Sequence, residues 1–178
     1  IEFYLAKTGP DGELTTGINR VNLGPTVWNE ANVENILKPQ TSWDPKRYFN
    51  IWVCQFGGDL NEVAGYAQFP HQSGLAGLDE LGTSATDGLI CDWRVFGSSA
   101  IAPGTYFQDY DRGRTATHEI GHCFGLRHIW GDNNSCVVNV TDSNKDFCPD
   151  TPASRNPNYD CITVYNSWIA DRIDNYNS

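Results

Sequence analysis

The sequence predicts an α+β fold, with a mixed twisted sheet and its helices followed by a short irregular C-terminal subdomain held by cysteines. The larger, N-terminal part of the chain mixes short β-forming runs with helical stretches, which is typical of this class. One longer helix fits residues 111 or 112 to 124. After residue 128 the periodicity is lost, and Asp, Asn, Pro and Cys become abundant. The 178 residues are enough for one domain with a hydrophobic core.

The individual elements follow from alternation, β-forming composition and turn residues. Four segments are predicted as strands: residues 1–6, 48–55, 63–69 and 87–94. A first helix is predicted around residues 33–37 and is expected to end near Pro39, because proline disfavours helix continuation. Residues 71–82 and 97–104 contain several glycines and are predicted to be loops.

Composition and charge exclude several classes of protein. The net charge of −10 argues against nucleic acid as a partner, and the 39% hydrophobic content argues against disorder. No apolar run approaches the ~20 residues of a membrane span. Six cysteines, none in CxxC spacing, favour an oxidising compartment. We therefore expect a secreted, monomeric protein, in a mature or trimmed form because no signal peptide precedes Ile1.

The most informative segment is residues 118–128, which follow the pattern HExxHxxGxxH. His118 and His122 are one helical turn apart, so both imidazoles can reach one ion. Glu119 lies about 100° further round the helix, too far to be a natural ligand but able to contact a water on the metal. Neutral imidazoles suit zinc, and three protein ligands leave a position open for that water.

The third ligand requires the helix to stop. In a continuous helix His128 would lie about 9 Å beyond His122 along the axis, out of reach of the same ion. Gly125 is where the helix can end, because glycine adopts the left-handed conformation at low steric cost. We therefore predict Zn²⁺ bound by His118, His122 and His128, with Gly125 supporting the site and Glu119 as the general base for a metal-activated water.

The motif is the signature of the metzincin zinc proteases, and the flanking sequence resembles the pappalysin family of metzincins. Seven further strings resemble that family in the same order: TGINR at 16–20, NIWVC at 50–54, GYAQFP at 65–70, DGLI at 87–90, FG at 96–97, GRTATH at 113–118 and DTP at 150–152. The resemblance covers nearly the whole chain. It implies a metzincin-type fold and a zinc-dependent endopeptidase that acts on extended peptide or protein substrates.

The resemblance also implies how the chain is organised into subdomains and which strand binds the substrate. Residues 1–178 would form one metalloprotease catalytic domain, with an N-terminal subdomain (1–125) that contains the zinc helix and a C-terminal subdomain (126–178) that is expected to be incomplete. In metzincins an edge strand above the cleft pairs with the substrate backbone through main-chain hydrogen bonds. By resemblance that strand consists of Gly65, Tyr66, Ala67, Gln68 and Phe69; the other interpretation is a plain core or edge strand.

The C-terminal cysteines and carboxylates have roles that the resemblance suggests. It favours a disulfide between Cys136 and Cys161. It also makes the acidic loop a candidate Ca²⁺ site, with hard oxygen ligands in an irregular segment but no EF-hand spacing; the candidate ligands are Asp132, Asp142, Asp146, Asp150 and Thr151. The other interpretation of this loop is a solvated surface.

The pairing of the remaining cysteines and the role of the fourth histidine stay open. Cys54 and Cys91 could pair if their strands are neighbours, and Cys148 has no assigned partner. Cys123 is expected to be a buried thiol or a disulfide partner rather than a zinc ligand, because it points about 100° away from the histidine face. His71 is expected to face solvent.

The chain departs from the family at the methionine turn that normally lies below the zinc. It has no methionine, and Asn177 follows Asn175 and Tyr176 where the family has that residue. Either Asn177 replaces the methionine, or the chain stops just before the turn. Both interpretations leave open a second function, a zinc-binding but catalytically inert fragment or binding module; a purely structural zinc site is the least favoured.

Overall fold

The computed structural model describes residues 1–70, 73–74, 78 and 82–130. It confirms the predicted α+β class. Within these residues, three strands form one mixed sheet, in which the third strand of the chain lies between the first and the second. Strand β1 (Ile51–Cys54) runs parallel to β3 (Leu89–Asp92), and β2 (Gly65–Ala67) runs antiparallel to β3.

Three of the four predicted strands are therefore present, although each is shorter than its prediction. The register pairs Ile51 with Leu89 in the parallel ladder and Tyr66 with Ile90 in the antiparallel ladder. All four residues of β3 are buried, because this strand has a neighbour on each side and packing on each face. The central strand is thus the scaffold on which the other elements are placed.

The prediction of a strand at residues 1–6 is wrong. These residues lie outside the sheet, and Ile1 and Tyr4 are 96% and 81% exposed. The nearest β pairing in this part of the chain is an isolated bridge between Thr8 and Leu14. Alternation predicts which face of a strand would be buried, but a strand forms only where a partner strand accepts its hydrogen bonds.

The first helical segment is continuous but irregular. Helix α1 (Glu30–Asn32) leads through one π-helical turn (Val33–Leu37) into α2 (Lys38–Thr41). The side chain of Asn29 caps its start by accepting a hydrogen bond from the Asn32 N–H. The predicted helix at 33–37 is confirmed, and the helical segment ends at Thr41, two residues after Pro39.

Two apolar clusters cover the two faces of the sheet. On one face the first helical segment packs through Val33 and Leu37 onto Trp52 and Ile90. On the other face Leu89 and Cys91 pack with Cys123 of helix α3 (Arg114–Cys123). Because successive residues of a strand point to opposite faces, the sheet separates these clusters into two layers.

Helix α3 lies close to the edge strand β2. It begins slightly later than the predicted 111 or 112 and ends at Cys123, one residue before its prediction. Small side chains at the contact, including Ala64, Ala67 and Ala116, allow this approach. A methyl group added at Gly65 would lie 2.9 Å from the Ile90 carbonyl oxygen and 3.2 Å from Cγ2 of Thr115, so only glycine fits between the strand and the helix.

The three described cysteines are free thiols. The strands of Cys54 and Cys91 are neighbours, as the proposed pairing required, but the two side chains pack in different clusters on opposite faces of the sheet. Cys123 is buried, as expected. Burial raises the pKa of the Cys54 and Cys91 thiols to about 12, so neither is a reactive thiolate near neutral pH.

No helix within the described ranges is long and apolar enough to cross a membrane. The predicted boundary between subdomains 1–125 and 126–178 stays a prediction.

We predict that Gly88→Ala destabilises the fold strongly. Gly88 precedes β3 with φ of +136°, and an added Cβ would lie 2.2 Å from the Asn50 carbonyl oxygen at the start of β1. Backbone strain and the clash together should cost on the order of 3 kcal/mol, measured by urea unfolding. Gly24→Ala is the matched control, because Gly24 also has a positive φ but open space around it. Equal losses in the two variants would contradict the close contact.

Candidate metal centre

Helix α3 presents two adjacent faces with different burial. Thr115, Glu119 and Cys123 recur at every fourth residue and are buried toward the sheet. His118 is exposed and His122 is half-buried, one position round from that face. The packing of the buried face therefore fixes where the histidine face points.

The two helical histidines lie at a distance suited to one metal ion. Their Nε2 atoms are 3.1 Å apart, and the rings are perpendicular with centroids 4.7 Å apart. Two imidazole ligands of a tetrahedral zinc, each about 2.0–2.1 Å from the ion, would have nitrogens about 3.3 Å apart. The pair thus needs only a small adjustment to fit zinc.

The left-handed turn that the sequence predicted follows the helix at Gly125. The Phe124 N–H donates to the carbonyl oxygens of Ile120 and Gly121, and Gly125 has φ of +86°, in the left-handed region. Beyond the turn, the ring of His128 stacks on Trp130 at 4.2 Å.

The three histidines of the motif come together. The ligand nitrogens of His118, His122 and His128 all lie within 4.8 Å of one another. Three neutral imidazoles are a donor set that suits zinc, so this triad could bind the metal.

Glu119 lies on the buried face rather than among the histidines. Its side chain is 6% exposed, and burial raises the pKa of its carboxyl group to about 7. Glu119 shares this face with Cys123, which packs against Leu89 and Cys91 of the sheet. A desolvated carboxylate with a raised pKa is a better base than an exposed one near neutral pH.

The predicted substrate strand lies beside this centre. Of residues 65–69, the first three form β2, at one edge of the described sheet, and the Gln68 N–H continues the ladder by donating to the Gly88 carbonyl oxygen. The ring of Phe69 meets His122 edge-on, with centroids 5.5 Å apart. The structure therefore brings the end of this segment to the histidine pair.

Several predicted residues lie outside the described part of the chain. They are the candidate calcium ligands Asp132, Asp142, Asp146, Asp150 and Thr151, the cysteines Cys136, Cys148 and Cys161, His71, and Asn177, the candidate replacement for the family's methionine. Their roles stay predictions.

Comparison with known proteins identifies relatives over most of the chain. The sequence model of peptidase family M43, described as pregnancy-associated plasma protein-A, matches residues 32–176. An extracellular metalloprotease of Neurospora crassa is 34% identical over 156 residues, covering 84% of this chain and 47% of the relative.

Solved structures of mirolysin are also similar. Mirolysin in complex with compound 9 superposes with a TM-score of 0.70 at 34% identity, covering 92% of this chain and 55% of that one. Mature mirolysin of Tannerella forsythia in complex with a cleaved peptide gives a TM-score of 0.65 at 36% identity, covering 86% and 51%. The chain thus spans about half the length of these relatives.

We predict that the metal-free chain loses stability as pH rises from 5 to 8. The folded-state pKa of Glu119, about 7, lies above the ordinary value of 4.5, so the folded protein binds the proton more tightly. This contribution is fully present below the ordinary pKa and is lost as pH rises through 7, up to about 3 kcal/mol. Urea unfolding in a chelator at both pH values should show a smaller loss for Glu119→Gln than for the exposed-site control Glu62→Gln. An identical pH dependence in both variants would contradict the burial of Glu119.

Proposed function

The chain belongs to peptidase family M43, the pappalysin-like metzincins, and on that premise we propose that it is a zinc-dependent endopeptidase that hydrolyses peptide bonds of extended polypeptide substrates. The observation that carries the proposal is the triad of His118, His122 and His128, with the buried carboxyl group of Glu119 one residue from the first ligand.

The three imidazoles are the residues that would hold the ion. Their nitrogens cluster within 4.8 Å, and the two helical nitrogens already lie near the separation that two zinc ligands require. Three protein ligands characterise catalytic rather than structural sites, which use four. Bound there, Zn²⁺ would polarise the substrate carbonyl group and lower the pKa of water.

Glu119 is the group on this chain that would move the proton. Its carboxylate would accept a proton from the attacking water and then deliver that proton to the leaving amine. Burial supports this role, since it raises the pKa of the carboxyl group in the metal-free chain, and a desolvated carboxylate is a stronger base than an exposed one.

The edge strand is the element that would hold the substrate. The ladder to β3 uses the backbone of Ala64, Tyr66 and Gln68, so the backbone groups of Gly65 and Ala67 point to the outer edge. An extended peptide added at this edge would run past Phe69 and His122 toward the metal centre. The structure of the similar protein mirolysin in complex with a cleaved peptide supports the proposal that the present chain also acts on peptides.

A second candidate function is zinc binding without catalysis. It would be favoured if Asn177 replaces the methionine of the family's methionine turn, which is one of the two interpretations of this segment. The retained Glu119 favours the hydrolase.

We further propose that the protein is secreted, supported by the extracellular relatives and by the six cysteines.

We predict that Glu119→Ala and Glu119→Gln abolish cleavage of denatured casein while the chain keeps about one zinc. Loss of the general base should lower kcat by about 10²–10⁴-fold, because the proton has no other acceptor in place. Zinc content by elemental analysis and cleavage by gel are measured on the same samples, with Glu62→Gln as the control. Zinc in every sample with cleavage in none would support the inert alternative.

We predict that Gly125→Ala weakens zinc binding more than Gly125→Asn does. At φ of +86° alanine is strained by about 1–2 kcal/mol, whereas asparagine tolerates this conformation better. The strain should be relieved by extending the helix, which moves His128 away from the other two ligands. Competition for zinc with a chromogenic chelator measures the affinities. Equal affinities in both variants would show that the turn does not deliver the third ligand.

A further inference from the structure

A lysine is buried on the face of the sheet that lies away from helix α3. Lys38, the first residue of α2, is 1% exposed, and its Nζ lies 2.6 Å from Oε1 of Glu34. The ammonium group also lies 4.6 Å from the centre of the Tyr66 ring and 5.5 Å from that of Trp52. A buried charge is costly unless it is paired, so this ammonium has one well-defined position.

The helix that carries the pair is distorted at this point. The Lys38 N–H donates to the Val33 carbonyl oxygen, five residues earlier, so Glu34 and Lys38 span a π-helical turn. Such turns are rare and occur frequently at functional sites. This cluster was not predicted from the sequence, because a glutamate four residues before a lysine ordinarily indicates only an exposed helical pair.

The buried pair is connected directly to the edge strand. The Tyr66 hydroxyl donates to the same Oε1 of Glu34, at 2.8 Å. Tyr66 is the middle residue of the three-residue strand β2 and the one that packs against the cluster beside the first helical segment. Burial and this hydrogen bond raise the pKa of Tyr66 far above its usual value, so the hydroxyl remains a donor.

Strand β2 is therefore held from both faces. On one face Gly65 rests so close to β3 and to Thr115 of helix α3 that no side chain fits. On the other face Tyr66 is fixed by Glu34, and Glu34 by Lys38. The helix that carries His118, His122 and Glu119 is the same helix that Gly65 touches. A shift of Tyr66 would thus change the height of the strand relative to the metal centre.

We propose that Lys38 is a positioning residue for peptide binding: through Glu34 and Tyr66 it fixes the edge strand β2 relative to helix α3, and so sets how tightly an extended substrate binds. This inference rests on the proposed function, because it takes β2 as the substrate strand. It concerns substrate affinity rather than the chemical step, since Lys38 contacts the cluster on the face of the sheet opposite helix α3.

Lys38→Met is the main test, because methionine keeps an unbranched side chain of similar size and removes the ammonium group that pairs with Glu34. We expect KM for an extended peptide to rise on the order of tenfold with kcat within about twofold, as for loss of binding that is uniform along the reaction. In a Glu119→Ala background, the Kd of a fluorescent extended peptide, measured by anisotropy, should rise by the same factor. Tyr66→Phe removes one hydroxyl and should act in the same direction, which keeps the test decisive if Lys38→Met fails to fold.

Lys46→Met is the matched control, because it is the same substitution at an exposed site and should leave KM and Kd unchanged. Unchanged KM and Kd in Lys38→Met and Tyr66→Phe would overturn the inference, as would a fall in kcat at constant KM, or a parent that binds no peptide. Casein cleavage by the parent tests the proposed function separately. A parent that binds peptide in a Lys38-dependent manner without cleaving it would support the inference and overturn the hydrolase.

Discussion

One turn of helix α3 is the constraint on which the rest of the site depends. It brings the Nε2 atoms of His118 and His122 to 3.1 Å, and it places Glu119 on the adjacent, buried face of the helix. This arrangement requires a regular helix whose buried face is fixed and whose C-terminal end is abrupt. The central strand β3 and the cluster around Cys91 fix the buried face of the helix. The left-handed Gly125 ends the helix.

Small residues allow the edge strand β2 to lie close to helix α3. Glycine at position 65 and alanines at 64, 67 and 116 let strand, sheet and helix approach closely, so the edge strand ends beside His122. On the opposite face of the same strand, the ring of Tyr66 packs under the ammonium group of Lys38, which also lies over the ring of Trp52. The strand is thus held between a close-packed layer and a polar, paired layer, which explains how three residues can have a defined position without a long ladder.

The site was predictable from the sequence to the extent that it is local. The spacing of His118, His122 and Gly125 contains the helical turn and its end, and helix α3 follows directly from it. Residues 1–6 were mispredicted because alternation carries no information about whether a partner strand is present. The faces of Cys54 and Cys91, and the burial of Lys38, depend on contacts between segments distant in sequence, which no local pattern encodes.

Zinc K-edge X-ray absorption on the chain loaded with one equivalent of zinc tests the central claim most directly, because it identifies the ligand elements and their distances. Three imidazole nitrogens and one further light atom, at about 2.0–2.1 Å, are the expected result. A sulfur ligand at about 2.3 Å would contradict the account, because it would make a cysteine a ligand and close the position that the chemistry needs.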